Sequence, residues 1–590
     1  MSNQFFNSEK KILQPKLKKQ ILNCLKELRS HFKENNKDIK HSYQRIEVDN
    51  LIRTTSKSKK TIEIGEGILK NEFFFLGNLD KIKFGDTIDW NYQHNNAANT
   101  YQLYIQTLNV ISYLCDAYTE SEEDVYLYKA YYLLLDWILY IKTDERENKF
   151  KWVDHTVASR TLTIIYFFNL SKDIIDIDEG IILELLIEHG EFLIDEKNYV
   201  RNNHGIMVDR SLLVLSIFMK NYTEAEKWFE KGKLRIRDAF FRDFSFQGVH
   251  LENSPAYHKM VKNMFEKIQE FLIINGYTLG DDISEKLKMT KKYLQYILKP
   301  NGYLPTIGDS ALSKLNVKKL NESFHDPEAG ITIMQSKTNN EINSTWLSFI
   351  CGYGSKTHKH RDDLSINLFY KGKDILVDSG QYNYDLKDKF RKYILSPQAH
   401  STIIQKNKTY KIKPPTENHD LIKTVSYTSN SVYDYVKGVH KGYEGFSLQR
   451  SILFFKPDIV FIYDKVVSED IKIFQQNFNL ASHVKVLELD KSKTVCSSNG
   501  NKVVFKQIIK TGQIQKFSGD RETPRAVISE KFGKIIDNTQ LVFSTKGNNV
   551  QFLTAILLGD AESKLQGIKF DKLEELLTID MNDKQYKLIM

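Results

Sequence analysis

The sequence predicts a multidomain fold with a helical N-terminal half and a β-rich C-terminal half. Between about residues 98 and 300 the apolar residues recur every three or four positions, which is typical of amphipathic helices. From about residue 330 onward apolar and polar residues alternate, which is typical of strands. The chain has 590 residues, of which 41% are hydrophobic and 12% aromatic. That length and composition indicate a folded protein with more than one core.

The helical half follows a lysine-rich segment, residues 1–60, that is itself partly helical. No proline occurs between Pro15 and Pro255, which favours uninterrupted helices. Short polar loops between successive helices indicate a helix bundle or an α/α toroid. The predicted helices cover residues 98–119, 124–142, 156–171, 178–195, 205–220, 223–240, 255–276 and 282–298.

The β half begins after a change of period near residues 300–330. Alternating runs at 346–350 and 459–463 predict strands, and turn-forming residues at 371–374 and 498–501 separate such runs. Many strands with short turns between them indicate a large antiparallel β region.

The charge balance is mildly basic, with 84 lysines and arginines against 75 acidic residues, or +9. This excess suits a polyanionic ligand but is weak evidence for one. We expect no nucleic-acid partner, because no binding motif occurs and the basic residues are not interleaved with aromatic ones. The four cysteines are far apart without a CxxC spacing, so neither a zinc knuckle nor a disulfide framework is predicted.

The N-terminal segment lacks the apolar stretch of a secretory signal, and the chain has no apolar run of about 18 residues. We therefore expect no membrane span. As written, the sequence indicates a cytoplasmic protein, and a periplasmic location fits if the chain is a mature form.

Two histidines, His358 and His360, lie two positions apart just before the alternating run 366–370. If a strand already runs through them they share a face, since alternate residues of a strand point to one side. Imidazole carries protons near neutral pH and binds metals, so the pair could divide these tasks. The alternative is two histidines on a solvated strand edge.

Two further motifs lie in the helical half. Asn203 and His204 precede an apolar helix, where Asn203 could serve as the N-cap or where both could receive an anion. Farther on, Ser254 fits an N-cap before a proline, which places Tyr257 in the first turn of the next helix. Packing is the plainer interpretation for that tyrosine, and a salt bridge is the plainer one for Glu252.

The remaining polar candidates follow the histidine pair or lie in helices. His360, Asp378 and His400 supply a composition that suits Zn²⁺, although their spacing is not that of a zinc finger. Arg160 interrupts an otherwise apolar helix, where snorkelling to the surface would explain it. The turn at 302–310, with its Gly-Asp pair, is interpreted as structural.

Together these motifs resemble the heparinase II/III-like polysaccharide lyases, which include heparin, heparan and alginate lyases. The resemblance covers roughly residues 80–410 by motif, and the order of the pieces is more specific than any one of them. The matching pieces are Asn202-Asn203-His204-Gly205, Glu252-x-Ser254-Pro255-x-Tyr257-His258, Pro305-x-Ile307-Gly308-Asp309, His358-x-His360-x-Asp362 with Leu364-Ser365, Gly372-x-x-Ile375-Leu376-Val377-Asp378-x-Gly380, Arg391 and Ala399-His400.

The resemblance implies an incomplete α/α toroid followed by an antiparallel β-sandwich, with the site in the cleft between them. The corresponding domains are an N-terminal extension at 1–80, the toroid at 81–325 and the β-sandwich at 326–590. It also implies β-elimination on a uronic-acid-containing polysaccharide, whether glycosaminoglycan-like, alginate-like or a bacterial capsular or exopolysaccharide. The oligomeric state is not predicted.

The resemblance also implies roles for particular residues. The position of Asn203 binds the substrate carboxylate beside His204, while Tyr257 matches an acid/base tyrosine and His358 a catalytic histidine. The metal-site positions of the members that bind zinc match His360, Asp378 and His400, and no organic cofactor is implied. Substrate-binding candidates are Arg160, Glu252, Tyr384 and Arg391, with Tyr382 and Tyr393 competing with Tyr384 for the place of a further tyrosine. The spacing from Asp378 to His400 varies among relatives.

β-Elimination removes the C5 proton beside an ionised carboxylate, so neutralising that carboxylate stabilises the charge that develops. A base then takes the proton and an acid protonates the departing O4. Tyr257 can do both in a syn elimination, and His358 becomes the base in an anti elimination. Two rivals stay open. A glycoside hydrolase would need two carboxylates, such as Glu252 with Asp154 or Asp362, and a non-catalytic acidic-glycan-binding or assembly protein would keep only the fold.

Overall fold

The computed structural model describes residues 2–32, 39–75, 79–95 and 97–590. Two compact units emerge from it. The first, here called the helical unit, comprises residues up to Phe241 together with Met264–Ile283, and the second, the β unit, comprises Arg242–Asn263 and Ser284–Met590. The predicted domain boundaries stay a prediction, and parts of the predicted 1–80 extension (residues 1, 33–38 and 76–78) lie outside the described residues.

Helices dominate the first half of the chain. The eight predicted helices are all present, although the first is split in two because Leu108 adopts a left-handed conformation with φ of 56°. A short antiparallel pair, β1 (Glu72–Phe73) and β2 (Ile82–Lys83), accompanies them. The helices are α1 (Ser2–Leu28), α2 (Thr61–Leu69), α3 (Ala98–Gln106), α4 (Asn109–Ser121), α5 (Val125–Thr143), α6 (Asp154–Ser171), α7 (Glu179–Ile194), α8 (Asn203–Phe218), α9 (Ala225–Asp243), α10 (Pro255–Ile274) and α11 (Asp281–Ile297).

Helix α6 is the central element of the helical unit. It packs against α3, α4, α7 and α8, and nearly all of its side chains are buried. Its apolar residues therefore surround the helix instead of forming one stripe, as expected for a helix enclosed by others. The N-terminal turn of α6 and that of α8 carry the polar residues of this unit's candidate site. Among the described residues, no helix combines the length and apolar composition that a membrane crossing requires.

The β unit is built on one large antiparallel sheet, in which β3 to β7 follow one another as neighbours and β12 pairs with β11, β8 and β19. Short helices α12 (Lys389–Ile394), α13 (Pro415–Asn418) and α14 (Ala561–Lys564) interrupt it. The strands are β3 (Phe324–Asp326), β4 (Ile331–Gln335), β5 (Trp346–Ile350), β6 (Ser365–Tyr370), β7 (Lys373–Leu376), β8 (Ile403–Gln405), β9 (Ile422–Ser429), β10 (Tyr433–His440), β11 (Phe446–Phe455), β12 (Ile459–Leu480), β13 (Lys485–Leu489), β14 (Lys493–Ser498), β15 (Asn501–Gln507), β16 (Gln513–Ser518), β17 (Val527–Lys531), β18 (Lys534–Asp537), β19 (Thr539–Leu558), β20 (Leu565–Asp571), β21 (Leu576–Met581) and β22 (Lys584–Ile589).

Strand β12 lies between two apolar layers. Val460 and Ile462 contribute to one core cluster, and their neighbours Phe461 and Tyr463 contribute to another. Because successive side chains of a strand point to opposite faces, this division shows that both faces of the sheet are covered here. The predicted succession of a helical half and an antiparallel β half is confirmed.

Candidate active site

A single buried carboxylate, that of Asp309, contacts three polar side chains of the candidate site in the β unit. Asp309 Oδ2 lies 3.0 Å from His358 Nδ1, and Asp309 Oδ1 lies 3.0 Å from His360 Nε2. Arg391 donates to the same carboxylate from Nη1 at 2.6 Å and from Nη2 at 2.9 Å. Three side chains from two separate segments are thus fixed by one group that is only 2% exposed.

The protonation state of Asp309 follows from these contacts. Burial opposes its ionisation, but the hydrogen bonds from His358, His360 and Arg391 hold the pKa of the carboxyl well below its usual range. An ionised carboxylate only accepts hydrogen bonds, so the neutral His358 ring carries its hydrogen on Nδ1. The lone pair of His358 is then on Nε2, which lies 3.9 Å from Glu252 Oε2.

The histidine pair lies in a loop, not on a strand. Strand β6 starts only at Ser365, and His358 has a left-handed backbone with φ of 56°. The condition for both rings to share one face of a strand, a strand that runs through the pair, is therefore not met. The rings meet because they approach the two oxygens of Asp309.

Two backbone contacts hold this loop in place. Asn253 Nδ2 donates to the carbonyls of Ser355 and Thr357, at 2.7 and 2.9 Å. Gly308, with φ of 55°, lies close to the backbone of Asn253 and His358. A Cβ at this position would lie 2.4 Å from the backbone carbonyl oxygen of Asn253 and 3.2 Å from that of His358. A glycine suits this position for two reasons: the positive φ disfavours a side chain, and no room is left for a Cβ.

Tyr257 contacts the catalytic-histidine candidate directly. It lies in the first turn of α10, where its backbone NH donates to Ser254 Oγ at 3.4 Å, in agreement with the predicted cap. Its ring stacks on His358 with centroids 3.7 Å apart and planes 22° apart. Its hydroxyl lies 2.8 Å from that of Tyr384, which also accepts from Gln381 Nε2 at 2.5 Å.

The tyrosine pair favours a protonated Tyr257. Burial raises the pKa of Tyr257 well above its usual value, and the hydrogen bond with Tyr384 raises it further. At neutral pH the phenol therefore holds its proton and can donate it. Of the competing tyrosines, only Tyr384 contacts Tyr257 in this way; Tyr393 accepts from the Ala526 backbone, and Tyr382 packs on Phe390.

In the helical unit, Asp154 joins two imidazoles. Its Oδ1 lies 2.5 Å from His155 Nδ1, and its Oδ2 lies 3.4 Å from His204 Nδ1. The two rings are 4.2 Å apart. The hydrogen bond with Asp154 raises the pKa of His204. Asn202 caps α8 by accepting from the His204 NH at 2.8 Å, so the expectation that Asn203 could be the N-cap is wrong.

Arg160 is fully buried, which contradicts its interpretation as a snorkelling side chain. It donates to the carbonyls of Gln106 and Lys151 at 2.8 and 2.9 Å and to His189 Nε2 at 3.2 Å. Burial lowers its pKa to about 9. A direct contact with substrate would require the guanidinium to leave these partners.

The predicted metal set forms only in part. His400 Nδ1 lies 3.2 Å from Asp378 Oδ2, and the rings of His360 and His400 are 5.6 Å apart. His360 Nδ1 and His400 Nε2 are buried without a hydrogen-bond partner, as suits two zinc ligands. Asp378, however, is already bonded to His400 and to the Gly380 NH. Zinc at these three residues stays a prediction.

Sequence reasoning missed two residues of this arrangement. Asp309 was assigned to a structural turn, and His155 was passed over beside Asp154. The available signal for Asp309 was its place in the Pro-x-Ile-Gly-Asp piece, which already belonged to the resemblance. His155 gave no signal that distinguishes it from other histidines at a helix start.

Comparison with known families covers nearly the whole chain. Residues 9–327 match the heparinase II/III N-terminus, and residues 318–564 match the heparinase II/III-like C-terminal family. A heparin-sulfate lyase of Bacteroides thetaiotaomicron is 20% identical over 493 residues, which are 72% of this chain and 68% of that protein.

Solved structures agree in fold. The heparan sulfate lyase HepC of Pedobacter heparinus is 17% identical, with a TM-score of 0.72 over 93% of this chain and 92% of its own. A structure of heparinase III is 16% identical, with a TM-score of 0.74 over 96% and 97%. The predicted α/α toroid followed by an antiparallel β-sandwich is confirmed by this likeness.

Fold and matched family models define the class as proteins with a heparinase II/III-like α/α toroid followed by an antiparallel β-sandwich. Within that class, the chain belongs to the heparinase II/III family. The family resemblance drawn from the motifs is confirmed.

Proposed function

We propose that this protein cleaves a uronic-acid-containing glycosaminoglycan of the heparin and heparan sulfate type by β-elimination. The observation that carries the proposal is the stacking of Tyr257 on His358, with Asp309 behind the histidine and Tyr384 beside the tyrosine hydroxyl. The names of the similar proteins, heparin-sulfate lyase and heparan sulfate lyase, support the substrate class.

His358 is suited to be the base. Because Asp309 accepts from Nδ1, the Nε2 lone pair is available to take the C5 proton of the uronate. The bonding electrons of C5–H form the C4–C5 double bond as the C4–O4 bond breaks. Asp309 stabilises the imidazolium that results, since the carboxylate stays ionised beside it.

Tyr257 is suited to be the acid. Its raised pKa keeps the phenol protonated, so it can deliver a proton to O4 as that oxygen leaves. The hydroxyl of Tyr384, 2.8 Å from that of Tyr257, holds the phenol in position. This division gives each residue one task and makes a tyrosinate base unnecessary.

Neutralisation of the substrate carboxylate is assigned to Asn203 and His204 by the resemblance alone, and that role stays a prediction. A zinc ion held by His360 and His400 would supply structural support for the loop that carries His358. The proposed steps need neither of these groups to exchange a proton.

The hydrolase alternative finds little support at Asp362, one of its candidate carboxylates. Asp362 is buried and paired with the Lys359 ammonium, which also lies 3.3 Å from Asp363. A carboxylate held in this way is not available to flank a glycosidic bond.

The test is the ultraviolet absorbance of an unsaturated uronate after incubation with heparan sulfate, heparin, alginate and a capsular uronate polymer. Tyr257→Phe and His358→Ala should abolish the product, while Tyr382→Phe, a change on a neighbouring loop, should leave it intact. New reducing ends without that absorbance would indicate hydrolysis. Undiminished glycan binding with no product from any polymer would indicate a binding protein and would overturn the proposal.

A further inference from the structure

A second cluster of ligand-type side chains lies in the helical unit. Asp154 and His155 are the first two residues of α6, and His204 is the second residue of α8. One donor atom from each lies within 4.8 Å of the others, and this is the one such group of three among the described residues. We propose that Asp154, His155 and His204 form a binding site for a divalent transition-metal cation, with Zn²⁺ the best match.

The donor atoms already face one another. Both Nδ1 atoms approach Asp154, one on each carboxylate oxygen, and the two rings are tilted by 39°. Without a cation, each imidazole Nδ1 contacts Asp154 through a hydrogen that lies between the nitrogen and the carboxylate oxygen. A cation seated among the three atoms would replace those hydrogens and be held by all three side chains at once.

Packing holds the ligands before any ion arrives. The His155 backbone NH donates to Asp154 Oδ1 at 2.6 Å, and Asn202 fixes the start of the helix that carries His204. Helices α6 and α8 pack against each other, so the two helix starts are set by the core of the unit. A preformed site of this kind binds without reordering the chain.

The donor set selects the type of cation. Two imidazoles and one carboxylate suit zinc and its transition-metal neighbours, whereas calcium and magnesium prefer oxygen ligands alone. The side chain of His204 is 46% exposed, against 15% for His155 and 10% for Asp154. Three protein ligands with one open side are typical of zinc sites that bind a further ligand, such as water or an anionic oxygen.

This site is distinct from the predicted set in the β unit. There His360 Nε2 is committed to Asp309 and His400 Nδ1 to Asp378, so each ring keeps one nitrogen for another partner. Variants can therefore separate the two sites. Metal binding can be measured without substrate, so a failure of this proposal is distinguishable from a failure of the proposed lyase activity.

The experiment is equilibrium dialysis and calorimetry of the full chain with Zn²⁺ after chelator treatment, together with the visible spectrum of the Co²⁺ form. We expect His155→Gln and Asp154→Asn each to remove one bound zinc or to weaken its binding by roughly tenfold or more. They should also change the cobalt bands. The exposed His419→Gln is the matched control that should leave zinc binding unchanged, whereas His400→Gln should leave in place the zinc that His155→Gln and Asp154→Asn remove.

Thermal melting of each variant checks that the chain is folded, and His204→Gln provides a third ligand change at a more exposed position. The proposal is overturned if the wild-type chain binds no zinc. It is equally overturned if folded His155→Gln and Asp154→Asn bind as the wild type does, or if His400→Gln alone removes all binding.

Discussion

Asp309 approaches His358 at Nδ1, not at Nε2, with 3.0 Å between the nitrogen and Oδ2. That choice of nitrogen decides what the histidine can do, because it leaves the outer lone pair free to accept a proton. The same carboxylate holds His360 and Arg391. One aspartate therefore sets the orientation of the proposed base and of the loop around it.

Asp309→Asn should reduce kcat by roughly 10²–10⁴-fold with a much smaller change in KM. An amide can donate as well as accept, so it no longer fixes the hydrogen on Nδ1 of His358. Steady-state kinetics on the preferred glycan would measure this, with a urea unfolding curve to show that the variant is folded. An unchanged kcat in a folded variant would remove Asp309 from the mechanism.

Tyr384→Phe should move the alkaline limb of the activity profile to lower pH. Burial is the main reason that the pKa of Tyr257 is raised, and the hydrogen bond with Tyr384 adds to it, so losing that bond lowers the pKa in part. Activity needs the protonated phenol, so it is kept below the pKa of Tyr257 and lost as pH rises through it. The profile of kcat against pH is the measurement, and a limb that stays in place or moves upward would contradict the assignment.

Gly308→Ala should lower both stability and activity. Its φ of 55° already disfavours a side chain, and the added Cβ would collide with the Asn253 oxygen and crowd the His358 oxygen. Gly500→Ala is the matched control, because Gly500 also has a positive φ, of 85°, but nothing lies within 4 Å of its Cβ position. Both variants should have lower melting temperatures than the wild type. Only Gly308→Ala should also lose activity at a temperature where both variants are folded. Equal activities would show that the Gly308 contact is not needed.

Arg160→Met should destabilise the chain by about 3 kcal/mol or more, since it leaves buried carbonyls and an imidazole nitrogen without a donor. Arg146→Met changes an arginine whose side chain is 57% exposed and should leave the unfolding midpoint unchanged. Urea unfolding followed by circular dichroism compares the two. Similar midpoints for both variants would mean that the buried hydrogen bonds of Arg160 add little.

The sequence patterns predicted regular elements well and side-chain contacts less well. Periodicity is a local property, so the helices and the change to strands could be predicted from it. The break at Leu108 could not, because nothing in the composition of 98–119 distinguishes a left-handed residue there. Whether a strand runs through His358 could not be decided from the sequence for the same reason, since the positive φ of that residue leaves no mark on the pattern.

The contacts of Asp309 were beyond sequence reasoning for a different reason. His358 and Arg391 are far from Asp309 along the chain, and no periodicity relates such positions. The ordered motifs selected Tyr257 and His358, and Tyr384 was one of three tyrosines that competed for a further place. The structure brings Tyr257, His358 and Tyr384 together. Arg160 was misinterpreted because an arginine in an apolar helix was expected to reach solvent, whereas this one finds acceptors inside.

The long ladder between β12 and β19 also bears on how the chain reaches its fold. Ile459 pairs with Leu557 and Leu480 with Thr539, so the two strands meet only after all the intervening chain has been made. Loops of that length slow strand pairing, and the helical segments, whose contacts are more local, can form earlier. Until β19 pairs with it, β12 has an unpaired edge and two apolar faces. An exposed strand edge of this kind favours aggregation through pairing with other chains. Refolding at low protein concentration should therefore give more native protein than refolding at high concentration.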